Sequence, residues 1–548
     1  MDALLTFGKQ HQAAGRLPEA AECYRQALVQ RPDDREAMRQ LAVVEYRMGN
    51  IAQAARWFGK LAQAGGNSAD DFCNWGMLLN KLGRREESIA ALRQALVIRP
   101  EFPEALYNLG VSLRESNRLG EAIEVYRRSV ALQPGNAEAH NNLGNALCQV
   151  RQFDESIQAF GRSIALRPQN SETHYNLAIC YHLAGKIPEA RASFNRAIEL
   201  NPDSIDPYNN LGAMLLSVGE VDESERVFRR GLARDPQAAM LHWDLSQVLL
   251  LRGEYSAGWK EYEWRRRVPE FLPFTAEFDQ PMWDGSDLRD KTILLYGEQG
   301  FGDTIHFARY VPLAAKRARK IVVACQPMVL RVISSLENVE QFVSPLDRLP
   351  DFQVHCPLPS LPSVLGATGP EHVPWNGAYL KSSEENRAKF VDCLREGDGK
   401  LKVGLVWCGR ALPAGRSIPL KMLGRLASPR VQFYSLQVGE GSEEAGTPPP
   451  GMKLIDVTAR FGDFADTAGL IDQLDLVIGI DTAVVQLAGA LGKPVWTLLK
   501  RWPDWRWLLD GQDSPWYPTM RLFRQTSNGQ WGDVVEKVSV ALKSLIGE

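Results

Sequence analysis

Apolar and polar positions over residues 1 to about 270 recur with a period of 34, and three columns share that register. A small residue stands at Gly8, Ala42, Gly76, Gly110, Gly144, Ala178, Gly212 and Ser246. A large one stands sixteen positions later, at Tyr24, Phe58, Leu92, Tyr126, Phe160, Phe194, Phe228 and Tyr262. Proline recurs at Pro32, Pro100, Pro134, Pro168, Pro202 and Pro236, with Gly66 interrupting the series. The spacing predicts helical hairpins: the small residue lets the two helices of a unit approach, the aromatic fills the groove between units, and the proline ends the second helix.

These columns resemble the tetratricopeptide repeat, in roughly eight units over residues 1–270. A fourth column is polar. Asn74, Asn108, Asn142, Asn176 and Asn210 recur two residues before the small position, with Gln40 before them and Asp244 after. Asparagine is a poor helix-interior residue, so its recurrence asks for a reason. Either the amides bond between repeats, or they line the concave face and offer donor and acceptor to an extended peptide. The series is similar to the asparagine ladder of the eukaryotic O-linked N-acetylglucosamine transferases, a resemblance that implies a protein acceptor held by Asn74, Asn108, Asn142, Asn176, Asn210 and Asp244.

The periodicity ends in an aromatic and basic unit, Gly253 to Arg267, whose Trp259, Tyr262 and Trp264 predict a cap docked on a following domain. Pro269, Pro273 and Pro281 then mark a linker at 271–290. Beyond it the pattern changes to short apolar runs: Thr292 to Tyr296, Ile321 to Ala324, Gln341 to Val343, Val403 to Trp407, Gln432 to Leu436, Leu476 to Ile480 and Val495 to Leu499. Helical stretches separate them, so parallel sheets covered on both faces are expected. The polar run 383–400 divides this part into two Rossmann-like lobes, at 291–385 and 400–548, with a ligand cleft at the carboxyl ends of the strands.

Composition narrows the functional classes. Sixty-three Lys and Arg against 66 Asp and Glu leave a net charge of −3, which provides no global attraction for nucleic acid. The amino-terminal segment lacks a signal-peptide pattern and no run is apolar enough for a membrane span, so a cytoplasmic protein is expected. Eight scattered cysteines include no CxxC pair, and no metal site or cofactor is expected.

Gly297 to Thr304 forms a glycine-rich turn after the first strand but matches neither a dinucleotide fingerprint nor a P-loop. Four motifs together carry a second resemblance: Gly300-Phe-Gly-Asp-Thr304; Gly404-Leu-Val-Trp-Cys-Gly409 with Arg416-Ser-Ile-Pro; Gly479-Ile-Asp-Thr-Ala483; and Leu-Ala-Gly-Ala-Leu-Gly-Lys-Pro at 487–494. They look like the GT-B glycosyltransferases related to the ADP-heptose heptosyltransferases. With the segment Asp504-Trp-Arg-Trp-Leu-Leu-Asp, they look like the bacterial repeat-linked transferases, some of which glycosylate flagellin. The implied fold is an α solenoid followed by an α/β GT-B-like domain of two lobes.

The implied activity is inverting, metal-independent transfer of a sugar from a nucleotide-sugar, the donor substrate, to Ser or Thr of a protein acceptor. The resemblance places the catalytic base at Asp303, with Glu298 and His306 in reserve. It places donor contacts at Gly300, Gly302, Trp407, Arg416, Ser417, Gln437, Asp481, Thr482, Ala483 and Gln486. For Asp303 and Asp481 a helix N-cap is the competing structural role. Two departures stand out: Gln486 replaces the histidine usual after the Asp-Thr motif, and the 410–416 loop is short. They keep open two alternatives, an adaptor whose transferase domain is degenerate and a lipopolysaccharide-type transferase, the latter leaving the peptide groove idle.

Overall fold

The structure is a computed structural model that describes residues 2–65, 68–274, 278–298, 300–375, 377–409 and 415–548. Gly66, where the proline column breaks, and residues 410–414 of the shortened loop lie outside the described residues. The chain divides into two units, Met1–Asn210 and Leu211–Glu548.

The first unit is a run of helical hairpins from Asp2–Ala13 to Ile187–Leu200. The small and large columns meet each other inside one repeat. A Cβ added at Gly110 would stand 2.5 Å from the Tyr126 ring, so the ring lies directly on the glycine backbone. The aromatic therefore seals its own hairpin, where the spacing alone suggested a groove between units. The prolines act as expected: Arg31, Arg99, Gln133, Arg167 and Asn201, each just before one, leave the helix with ψ between 77° and 93°. Asp34, Ser68, Asn136 and Asn170 then cap the next helix by accepting from a backbone N–H three residues on. A column missed in the sequence helps close these turns: His140, His174 and Tyr208 bond the carbonyls of Pro134, Pro168 and Pro202 at 3.1 Å.

The second unit begins inside the repeats because the terminal ones share a core with the α/β region. Tyr255, Trp259 and Tyr262 are buried together with Ile293, Phe307, Trp505 and Trp516. The Trp259 ring meets Trp505 edge-on at 5.3 Å and Phe307 at 6.0 Å. Arg265, expected as part of a basic cap, is instead 1% exposed. It donates to Glu298 Oε2 at 2.8 Å, Glu263 Oε1 at 3.0 Å and Ser360 Oγ at 2.7 Å.

Two parallel sheets complete this unit. The first has β1 (Leu288–Tyr296), β2 (Ala318–Ala324), β3 (Gln341–Val343) and β4 (Val354–Pro357) in the order β3-β2-β1-β4. The second has β5 (Leu401–Val406), β6 (Val431–Ser435), β7 (Leu454–Asp456), β8 (Leu476–Ile480), β9 (Val495–Leu499) and β10 (Met520–Arg524) in the order β10-β9-β8-β5-β6-β7. β1 starts within the segment expected to be linker, since Leu288 pairs with Ala318. β4, β7 and β10 were not legible as strands. The polar run 383–400 is not a free connection: Tyr379 N already bonds Ala490 O at 3.0 Å, and Asn386 packs on Gly469 with its amide donating to Asp466. Among the described residues no helix is long and apolar enough to cross a membrane.

Candidate functional site

β1 delivers the turn that ends at Gly300, and β8 delivers Asp481 and Thr482; the two turns face each other across the lobes. Gly302 lies so close to the second turn that an added Cβ would sit 3.5 Å from Ala483 Cα. Around them opens a cleft of ≈680 Å³ at the carboxyl ends of both sheets. Gly300, Gly302, Asp303, Arg416, Gln437, Asp481, Thr482, Ala483 and Gln486 line it.

Neither aspartate is a helix cap. Gly300 caps the helix Phe301–Phe307, leaving Asp303 inside its first turn. Thr482 holds the N-cap position of the helix Ala483–Ala490, leaving Asp481 outside it, and Thr482 Oγ1 is buried with no hydrogen-bond partner among the described residues. Asp303 forms an ion pair with Arg506, which donates also to Asp504 Oδ1 at 2.8 Å. Burial pushes the Asp303 carboxyl above the ordinary carboxylate range, the Arg506 guanidinium opposes this, and Asp504 adds to it. The Asp481 carboxyl is likewise raised, by burial and then by Asp504.

Several expected donor contacts lie behind the cleft or are already engaged. Trp407 is fully buried in the second-lobe core, with its indole N–H on Gly441 O at 3.2 Å. Ser417 accepts from Gly409 N at 3.2 Å and so pins the loop after β5. Gln437 reaches the cleft wall, yet its oxygen accepts from Trp407 N at 3.1 Å and Cys408 N at 2.8 Å while its nitrogen donates to Glu440 O at 2.8 Å. For Ser417 and Gln437 the cause is common: the peptide N–H groups just past the end of β5 need acceptors, and these side chains supply them. Glu298 sits on Arg265. His306 is buried, held neutral by burial and by Arg309 and Arg506, and its Nδ1 lies 3.3 Å from Gln486 Oε1. Tyr517 donates to that same oxygen at 2.7 Å, so the glutamine at the histidine position is anchored from two sides.

Asp504 and Arg506 are the site residues that sequence reasoning missed. The segment Asp504-Trp-Arg-Trp carried a signal, a charged pair between tryptophans, but no chemistry could be read from it before the fold set it against Asp303.

In the first unit four ladder amides, Asn108, Asn142, Asn176 and Asn210, donate to the preceding repeat, thirty-five residues back. Asn108 reaches Cys73 Sγ at 3.7 Å, Asn142 reaches Tyr107 OH at 3.1 Å, Asn176 reaches Asn141 Oδ1 at 3.2 Å and Asn210 reaches Tyr175 OH at 2.8 Å. Asn74, one repeat earlier, is partly buried like the others. The inter-repeat role is therefore real; Asn210 also donates to Asp206 O at 3.1 Å, so its amide nitrogen is engaged twice. Asp244, in the second unit, has no N–H to continue the series.

Comparison with known proteins bears mainly on the repeats. Tetratricopeptide-repeat family profiles match residues 5–69, 73–137 and 211–262, and further ones match 135–203 and 193–226. Protein FlbA of Caulobacter vibrioides (strain ATCC 19089 / CIP 103742 / CB 15) is 29% identical over 332 residues, which are 53% of this chain and 53% of FlbA. The chain thus spans about half the length of that curated relative. Among solved structures, MamA is 23% identical over 30% of this chain and 95% of its own, with a TM-score of 0.29. YrrB, a TPR protein with an unusual peptide-binding site, is 20% identical over 34% and 96%, with a TM-score of 0.31. A Parabacteroides merdae repeat protein is 18% identical over 45% and 98%, with a TM-score of 0.36. The chain carries a tetratricopeptide-repeat solenoid over its first 262 residues, followed by an α/β region built on parallel sheets.

Proposed function

We propose that the α/β region is an inverting glycosyltransferase of GT-B type, transferring a sugar from a nucleotide-sugar to Ser or Thr of a protein held by the repeats. Flagellin is the acceptor class that the resemblance supplies. The observation that carries the reading is the apposition of the Gly300–Asp303 and Asp481–Ala483 turns across one cleft at the carboxyl ends of two parallel sheets. In the transfer, the acceptor oxygen bonds to the anomeric carbon as the bond from that carbon to the donor phosphate breaks. The hydroxyl proton passes to Asp303, and the electron pair leaves with the nucleotide. Arg416 and Arg506 supply the positive charge that the leaving phosphate needs.

A specific feature favours the second reading, an adaptor with a degenerate transferase domain: the cleft is lined by Asp303, Asp463, Asp481 and Asp504 against Arg416 and Arg506. One assay separates the two. Purified protein is incubated with a panel of nucleotide-sugars, and Asp303→Asn is expected to lower turnover by about a hundredfold or more with an unchanged melting curve. Equal turnover in that variant removes Asp303 as the base, and no turnover by the parent protein favours the adaptor. Replacing Asn142, Asn176 and Asn210 by Ala should weaken acceptor binding while donor hydrolysis continues; unaltered acceptor affinity would refute the groove assignment.

A further inference from the structure

Arg506 is a buried cation, 9% exposed, whose guanidinium forms the floor of the cleft between two carboxylates. Asp504 holds Arg506 at two points, accepting from its backbone N–H at 3.0 Å and from its guanidinium at 2.8 Å. The Trp505 ring lies beneath it with 4.3 Å from ring centre to guanidinium carbon. Asp303 meets Arg506 at the guanidinium alone; its side chain is 28% exposed against 33% for Asp504, and both carboxylates line the cleft. Thr482 Oγ1, also on the cleft wall, has no hydrogen-bond partner among the described residues.

We propose that Arg506 is the receptor for the donor's phosphate and that the Asp303 carboxylate occupies that receptor until the donor arrives. The proposal rests on the reading of this cleft as a donor site. A carboxylate and a phosphate present the same pair of oxygens to a guanidinium fork, and the phosphate brings more charge, so one replaces the other without leaving the buried cation bare. Asp504 and Trp505 keep the guanidinium in place during the exchange. Asp303, released from its cation, becomes a stronger base, because loss of a nearby positive charge favours its protonated form. The base is thereby quiet in the empty cleft and competent only beside a bound donor, and donor binding precedes proton removal.

The test uses the full chain, calorimetric titration with inorganic pyrophosphate, and the melting curve of each variant. Arg506→Met is expected to weaken pyrophosphate binding about tenfold or more. Asp303→Asn is expected to tighten it by about threefold or more, since a competitor for Arg506 is gone. In the double variant the gain from Asp303→Asn should vanish, because it depends on Arg506. A gain that persists without Arg506 would reflect general loss of negative charge and overturn the latch. Unchanged or weaker binding by folded Asp303→Asn overturns it as well, as does an absence of pyrophosphate binding in every protein tested. If Arg506→Met fails to fold, Arg506→Lys retains the charge but not the fork, and should bind pyrophosphate about threefold more weakly; equal affinity overturns the assignment. None of these readouts requires sugar transfer, so failure of the enzymatic reading leaves a different signature: intact pyrophosphate behaviour with no turnover.

Discussion

At the scale of single residues the fold turns identity into role. Asp303 and Asp481 could each have been a helix cap; the caps are Gly300 and Thr482, which leaves both carboxyls on a cleft wall. Trp407, Ser417 and Gln437 stood in plausible motifs, but Trp407 packs in the core while Ser417 and Gln437 satisfy peptide groups past the end of β5. Asp244 shows the cost of a carboxyl at a ladder position: burial pushes it up to about 7. The sign is direct. A folded value above the unfolded one means that ionisation opposes folding, so this group's contribution is full below about pH 4 and is lost as pH rises through 7. Asp244→Asn should therefore raise the melting temperature at pH 8, by the equivalent of up to about 4 kcal/mol, with the gain shrinking at pH 5. A pH-independent difference in melting scans would show that the carboxyl does not titrate with folding.

At the scale of elements the repeats were legible because each column answers a local requirement. The residue before a proline must leave the helix, a glycine must face a ring, and an amide must meet the previous repeat. Gly110→Leu places a side chain where Tyr126 already lies, 2.5 Å from the new Cβ. It should cost about 1–3 kcal/mol, visible as a lower denaturant midpoint in chemical unfolding. A midpoint equal to the parent's would mean that the ring has somewhere else to go. Strands β4, β7 and β10 were missed for the converse reason. Their runs, Val354-His-Cys-Pro357, Leu454-Ile-Asp456 and Met520-Arg-Leu-Phe-Arg524, are broken by histidine, proline, aspartate or arginine, so no continuous apolar stretch marks them.

At the scale of the whole molecule, the division at Asn210 and Leu211 ties the terminal repeats to the α/β region through Trp259 and Arg265. Arg265→Ala would leave Glu298, 2% exposed at its side chain, charged and unpaired, at a cost of about 3–5 kcal/mol. A fragment of residues 211–548 should melt cooperatively in calorimetry. One of residues 271–548, which exposes the partners of Tyr255, Trp259 and Tyr262, should not. Cooperative melting of the shorter fragment would show that the terminal repeats are dispensable to that core.

What the sequence determined by itself was the set of local necessities: repeat period, hairpin closure, alternation of strand and helix, and the two glycine- and aspartate-bearing turns. These arise from interactions within a few dozen residues, which a linear pattern can display. What only the tertiary structure decided was which polar groups are left over once the backbone is satisfied. Asp303 meets Arg506 across 203 positions of chain, and His306 meets Gln486 across 180. Such pairs are brought together by the packing of two sheets and have no spacing rule to announce them. The cleft's chemistry resides in those pairs.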